Sequence, residues 1–157
     1  MKIIKKMAKV LLLVLIAMQF YRPEKNTTQG NHTAIFITET NPPEDVKFIL
    51  KNTCYDCHSN NTRYPWYNNI APVSYWLADH IKQGKGELNF SAWEGYSSKK
   101  KSHKLEEVLE VIEESEMPLN EYTWTHTEAK LTDAQKQAII TWAKQSSALY
   151  QLNQQLQ

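Results

Sequence analysis

The chain has 157 residues, with 18 Lys and Arg against 17 Asp and Glu for a formal charge of +1, and 41% hydrophobic residues. That length suits one small domain. Four of the lysines fall within residues 1–21, which hold no acids, so the remainder carries 14 basic against 17 acidic residues, a net charge of −3. A mildly acidic body argues against a nucleic-acid partner. Two cysteines, both in one short stretch, leave none for a separate structural disulfide.

Residues 1–21 read as a targeting segment. Lys2, Lys5, Lys6 and Lys9 precede an almost wholly apolar run, Val10 to Phe20. That run suits a signal peptide better than a full membrane span of roughly 17–25 residues. No small-residue cleavage pattern comes after it, because the chain continues Tyr21-Arg22-Pro23-Glu24-Lys25. Counting Ile3, Ile4, Met7 and Ala8 lengthens the segment, with lysines able to snorkel. An uncleaved anchor and a cleaved signal are both open, and both place the rest of the chain outside the cytoplasm. Residues 22–41, rich in Asn, Thr and Gln, are expected to be a tether. Within it Ala34-Ile35-Phe36-Ile37 is expected to make a short strand-like contact.

A domain is expected over residues 42–147. Its first helix opens at Pro42-Pro43-Glu44-Asp45, where proline and acids suit a helix N-terminus. Val46, Ile49, Leu50 and Cys54 share a face. That face leads into Cys54-Tyr55-Asp56-Cys57-His58, a C-x-x-C-H stretch. In a helical turn the three functional side chains face one way. Two thiols can form thioethers with haem vinyl groups, and the imidazole is delivered to the iron, so the spacing marks a c-type haem attachment. A redox dithiol would call for strand–helix alternation around it, which is missing. A zinc site would need two further ligands, for which no spacing is recognisable.

Residues 59–71 are expected to be loop, succeeded by a helix from Pro72 to about Gln83. Val73, Trp76, Leu77, His80 and Ile81 lie on its inner side, and Gly84 and Gly86 stop it. Leu88 to Lys101 reads as irregular, with Lys99-Lys100-Lys101 a solvated run. A third helix spans about Ser102 to Ser115, with Leu105, Val108, Leu109 and Ile112 buried. Pro118 ends it. A fourth begins at the capping box Thr132-Asp133-Ala134-Gln135 and buries Ala138, Ile139, Trp142 and Ala143. Residues 148–157 form a polar tail that can extend this helix. The expected fold class is all-α, a small cytochrome c-like helical domain wrapped around one covalent haem.

Outside residues 1–21 the one methionine is Met117, before Pro118 and between the last two helices. It is placed to bind the iron opposite His58, and a His/Met pair raises the reduction potential. His126, in the loop after it, is the rival ligand, and an open sixth site is the remaining alternative. Tyr64, Trp66 and Tyr67, close behind the motif, and Trp76 are read as walls of the haem pocket. Pro65 or Pro72, with Pro72 favoured, can offer a backbone carbonyl to the far nitrogen of His58.

Cys54 to Asn60, Tyr64-Pro65-Trp66-Tyr67, Pro72, Trp76, His80-Ile81, Asn89-Phe90-Ser91, Trp93, Met117-Pro118, Tyr122, His126, Leu131-Thr132 and Trp142 together resemble the bacterial haem-binding domain family. The resemblance covers about residues 42–147. The element order is more distantly similar to small monohaem cytochromes c. The resemblance implies Cys54 and Cys57 as attachment points and His58 as axial ligand, with Met117 as the second by the cytochrome analogy. The segment after His58 and the Tyr122-Thr123-Trp124-Thr125-His126 stretch depart from ordinary cytochromes c. The expected function is periplasmic electron transfer with redox-protein partners and a membrane attachment through the N-terminal segment, with neither catalysis nor a small-molecule substrate. A haem enzyme or gas sensor with an exchangeable sixth site, and a haem-free dithiol or zinc module, are the alternatives.

Overall fold

A computed structural model describes residues 1–155, and every regular element among them is helical. In chain order these are α1 (Lys2–Met18), α2 (Ala34–Thr40), α3 (Glu44–Ile49), α4 (Tyr55–His58), α5 (Val73–Glu87), α6 (Ser98–Glu113), α7 (Asn120–Thr125) and α8 (Asp133–Gln155). Short 3-10 segments cover Trp66–Asn69, Phe90–Gly95 and Thr127–Ala129.

The frame is the antiparallel pair α6–α8. Ser102 and Ser147 hydroxyls meet at 2.9 Å, and the Lys136 ammonium donates to the Ser115 hydroxyl at 2.8 Å, so residue numbers rise in opposite directions along the two helices. Leu105 and Ile112 from α6 face Ile139, Trp142 and Ala143 from α8, all buried, as the 3.6-residue period requires. α6 starts four residues earlier than expected because Ser97 is a cap, its hydroxyl accepting from the Lys100 amide. The lysine run therefore lies within the helix. Lys101, expected in solvent, is 8% exposed and donates to both carboxylate oxygens of Glu39 at 2.7 and 3.0 Å.

The segment expected as a tether contributes the centre of the core. Residues 34–40 are α2 rather than a strand-like contact, and Phe36 is fully buried. Its ring packs against Phe90 (4.5 Å), Trp93 (5.0 Å) and Trp142 (5.9 Å). α2 ends at Asn41, whose φ of 37° is left-handed, a conformation asparagine tolerates. The Thr40 carbonyl, left without a partner within α2, accepts from the Trp142 indole (3.1 Å) and the Ser146 hydroxyl (3.3 Å).

α8 opens with the expected reciprocal cap. The Gln135 amide donates to the Thr132 hydroxyl at 3.3 Å, and the Thr132 amide donates to the Gln135 side-chain carbonyl at 2.9 Å. Thr132→Ala should cost about 1 kcal/mol, measured by urea denaturation. The tail expected from 148 onward continues α8 to Gln155, and its Tyr150 hydroxyl accepts from the Trp93 indole (3.0 Å) and donates to Glu39 (2.7 Å). Residues 156 and 157 of that tail lie outside the described residues.

α5 runs through Gly84 and Gly86 to Glu87 instead of stopping at Gln83. Its inner face is only partly the expected one. Ile81 is buried as expected, but so is Ser74, while Val73 and Trp76, expected inside, are 39% and 46% exposed. The apolar stripe and the small-residue stripe differ by a rotation of about one residue, and close approach to α4 selects the small one. α1 buries no residue, and no helix among the described residues is long and apolar enough to cross a membrane.

Candidate functional site

α3 delivers the cysteine motif as expected, with Val46, Ile49 and Leu50 buried. It does so through one extra-wide turn. Leu50–Cys54 is π-helical, and α4 then carries the rest of the motif. Such turns insert a residue into the helical ladder and rotate the next turn about the axis, and they are frequent at functional sites.

His58 is the best-defined member. Its Nδ1 lies 3.1 Å from the Leu88 carbonyl. A carbonyl only accepts, so Nδ1 carries the proton and Nε2 keeps its lone pair for a metal. Burial lowers its pKa against the raising effect of the Leu88 and Gly84 carbonyls and the charge of Glu87, so the ring is neutral at neutral pH, as a ligand must be. The edge of Phe90 stands beside it, centroids 6.4 Å apart. The orienting carbonyl is thus that of Leu88, not the one expected from Pro72. The Pro72 carbonyl is already engaged, accepting from the Tyr75 and Trp76 amides in the first turn of α5. No side-chain signal marks Leu88, because the group involved is backbone at the end of α5.

Cys54 and Cys57 are not joined to each other. Burial, and then the neighbouring Cys57, push the Cys54 thiol up to about 12, while burial and Asp56 push Cys57 up to about 11. Among the described residues no group of three or more His, Cys, Asp or Glu has the arrangement to hold a metal ion.

Asp56, unmarked by any sequence pattern, is the polar hub of the site. It is buried and accepts from the Arg63 amide (2.9 Å), Arg63 Nε (3.1 Å), Arg63 Nη2 (3.0 Å) and the Tyr122 hydroxyl (2.7 Å). Arg63 Nη2 also donates to the Asn52 carbonyl at 2.8 Å. Tyr122 belongs to α7, so one carboxylate ties the motif to the segment after Met117. Burial, and then the charge of Asp56, hold the Tyr122 phenol well above its ordinary pKa, so the hydroxyl stays a donor. His126 lies flat on Tyr122, with ring centroids 4.3 Å apart and planes at 8°. Its Nδ1 is within 3.2 Å of the Tyr122 carbonyl. Met117 is half-buried against the core, its amide donating to the Val111 carbonyl at 3.2 Å.

The aromatics after the motif are distributed more widely than expected. The Tyr67 hydroxyl meets the Thr125 hydroxyl at 2.7 Å, joining the 59–71 loop to α7. The Tyr64 hydroxyl accepts from the Asn26 amide at 2.7 Å, facing the segment ahead of α2. Trp66 is 79% exposed, and Trp76 turns outward beside His80, ring centroids 4.2 Å apart.

An all-helical domain that presents a neutral imidazole with a free Nε2 beside two adjacent thiols is the frame of a haem-binding protein. The chain belongs to the haem-binding domain family, whose model matches residues 13–145. Comparison with curated proteins and with solved structures gave no match.

Packing around the motif makes Gly84 a residue of consequence. A Cβ there would lie 3.0 Å from the Cys57 carbonyl oxygen and 3.1 Å from the Cys57 Cβ. Gly84→Ala gains up to about 1 kcal/mol of helix propensity. It must also push α5 off the turn that holds His58, and overpacking costs about 1–3 kcal/mol. A net loss of stability and a lower haem content per chain are expected from thermal unfolding and pyridine haemochrome assay. Unchanged values for both would show that α4 and α5 have slack.

Proposed function

We propose that this haem-binding protein is a monohaem c-type electron carrier. Haem, when bound, supplies a one-electron ferric/ferrous couple. Cys54 and Cys57 would hold it through thioethers. His58, oriented and made more basic by its bond to the Leu88 carbonyl, would offer Nε2 to the iron. Met117 would offer its sulfur as the other ligand. The observation that carries the reading is the contact of His58 Nδ1 with the Leu88 carbonyl: it leaves Nε2 for iron, one residue after Cys57 in α4 and four after Cys54 at the end of the π-helical turn.

The charge pattern of residues 1–21 supports export to the periplasm with attachment at the cytoplasmic membrane, and the acidic body supports protein redox partners. A second reading, an exchangeable sixth site, draws on His126, which the Tyr122 contact keeps close to Asp56 of the motif. The test is expression in a host able to mature c-type haem. Colour surviving acid–acetone extraction, lost in the Cys54→Ser/Cys57→Ser double variant, is the expected result. Met117→Ala should convert a low-spin spectrum to one with an open site and lower the potential. Slow or absent carbon monoxide binding to the reduced wild-type protein supports the carrier, whereas rapid tight binding supports the sensor.

A further inference from the structure

The stretch between α1 and α2 has the composition of a free tether, yet it is laced to the domain. The Gln19 side-chain amide clamps Ala71 from both sides, donating to its carbonyl (3.1 Å) and accepting from its amide (3.0 Å). The Tyr75 hydroxyl donates to the Met18 carbonyl, and its ring meets Tyr21 edge-on at 5.6 Å. Arg22 reaches Asn69 at 3.4 Å. Asn26 completes the strap. Its side-chain amide donates to the Ser59 carbonyl (2.8 Å) and the Thr62 hydroxyl (2.9 Å), its own carbonyl accepts from the Thr62 amide (3.0 Å), and its side-chain oxygen accepts from Lys85 (2.6 Å). The last turn of α1 is thereby held at the N-terminus of α5.

Around that clamp the domain shows apolar side chains to the outside. Ile70 (44% exposed) and Val73 flank the clamped Ala71, Trp76 is one turn further along the same face of α5, and Trp66 opens the turn before Ile70. The apolar side chains of α1 from Val10 to Ile16, and Phe20 and Tyr21 after it, are all exposed, and the contact of Tyr21 with Tyr75 brings the end of that run to α5. A run of exposed aliphatic residues bordered by Trp and Tyr is the composition of a water–lipid boundary.

We propose that the face formed by Trp66, Ile70, Val73 and Trp76 rests on the lipid bilayer that receives α1, so that the domain is fixed in orientation against the membrane instead of swinging on a tether. The proposal rests on retention of α1, part of the export reading above, and is independent of the axial ligands. The strap sets the geometry. Gln19 and Tyr75 fix where α1 leaves the domain, and Asn26 links that exit to the Ser59 and Thr62 positions just after His58.

The experiment uses the full-length haem-loaded chain in vesicles of phosphatidylethanolamine and phosphatidylglycerol. Nitroxide labels are placed on Ile70→Cys, Val73→Cys and, as a control on α8, Gln137→Cys, and collision with oxygen is compared with collision with a water-soluble nickel chelate. Labels at 70 and 73 are expected to favour oxygen several-fold over the label at 137. In a Gln19→Ala background the preference should fall while the chain still floats with the vesicles. Water-like labels at 70 and 73 on a floating chain overturn the proposal, as does spin–spin broadening removed by dilution with unlabelled chain, which would assign the face to a second copy. A chain that fails to float and whose mass shows loss of α1 overturns it too. Label on Cys54 and Cys57 would count against covalent haem alone, and the accessibility is then read in a Cys54→Ser/Cys57→Ser background.

Discussion

Phe36→Ala is expected to lower the stability of the protein by about 3–5 kcal/mol. Phe36 is fully buried and in contact with three other aromatic rings, from the Phe90–Gly95 turn and from α8. Truncation removes the transfer free energy of a benzyl group. It also leaves a cavity that rigid neighbours such as Trp93 and Trp142 fill poorly. The backbone around the site cannot relax freely, because the Thr40 carbonyl at the end of α2 is held by Trp142 and Ser146. Urea denaturation monitored by circular dichroism gives the number, and Ile35→Ala, one residue away and exposed, is the comparison, expected to cost less than about 1 kcal/mol. Equal losses for the two variants would mean that α2 is not part of the core.

Asp56→Ala comes next, at about 2–4 kcal/mol. Removing one partner of a buried charged network leaves donors without acceptors, which costs more than the bonds themselves were worth. Arg63 is half-exposed and can recover water, which keeps the loss below that of a wholly buried pair. The Tyr122 hydroxyl is less able to do so. Tyr122→Phe, which deletes that donor and keeps the ring on His126, should cost only about 1 kcal/mol. In the double variant the two losses should fall short of additivity, because both act on the 2.7 Å bond between α4 and α7. Strict additivity, measured by the same denaturation, would show that the carboxylate does not couple the two helices.

Haem as the ligand is readable from residue order, and the family model covering residues 13–145 agrees with it. The roles proposed for Cys54, Cys57 and His58 rest on the residue types and spacings that covalent attachment would demand. Asp56 is not readable in this way. An acid between two cysteines has no meaning until Arg63 and Tyr122, seven and sixty-six positions away, are brought to it. Leu88 is hidden for a different reason, since its backbone carbonyl carries no residue-type signal.

The helices show the same division. Periodicity and caps locate α3, the body of α6 and the start of α8, because their buried faces and their Thr132–Gln135 box are written in neighbouring residues. The face of α5 differs from the one its periodicity suggests, since choosing between two overlapping stripes depends on how closely another helix approaches, and Gly84 against Cys57 settles it. Residues 22–41 look like linker on composition, yet Phe36 fills the space between α8 and the Phe90–Gly95 turn, and Asn26 satisfies backbone groups of the loop after His58. Local spacing therefore carried haem binding and the helical class, both legible in neighbouring side chains. Which segments close the core, which carbonyl orients the imidazole and which carboxylate links the motif to α7 depended on distant groups meeting, and that is a matter of burial and partner satisfaction across the whole molecule.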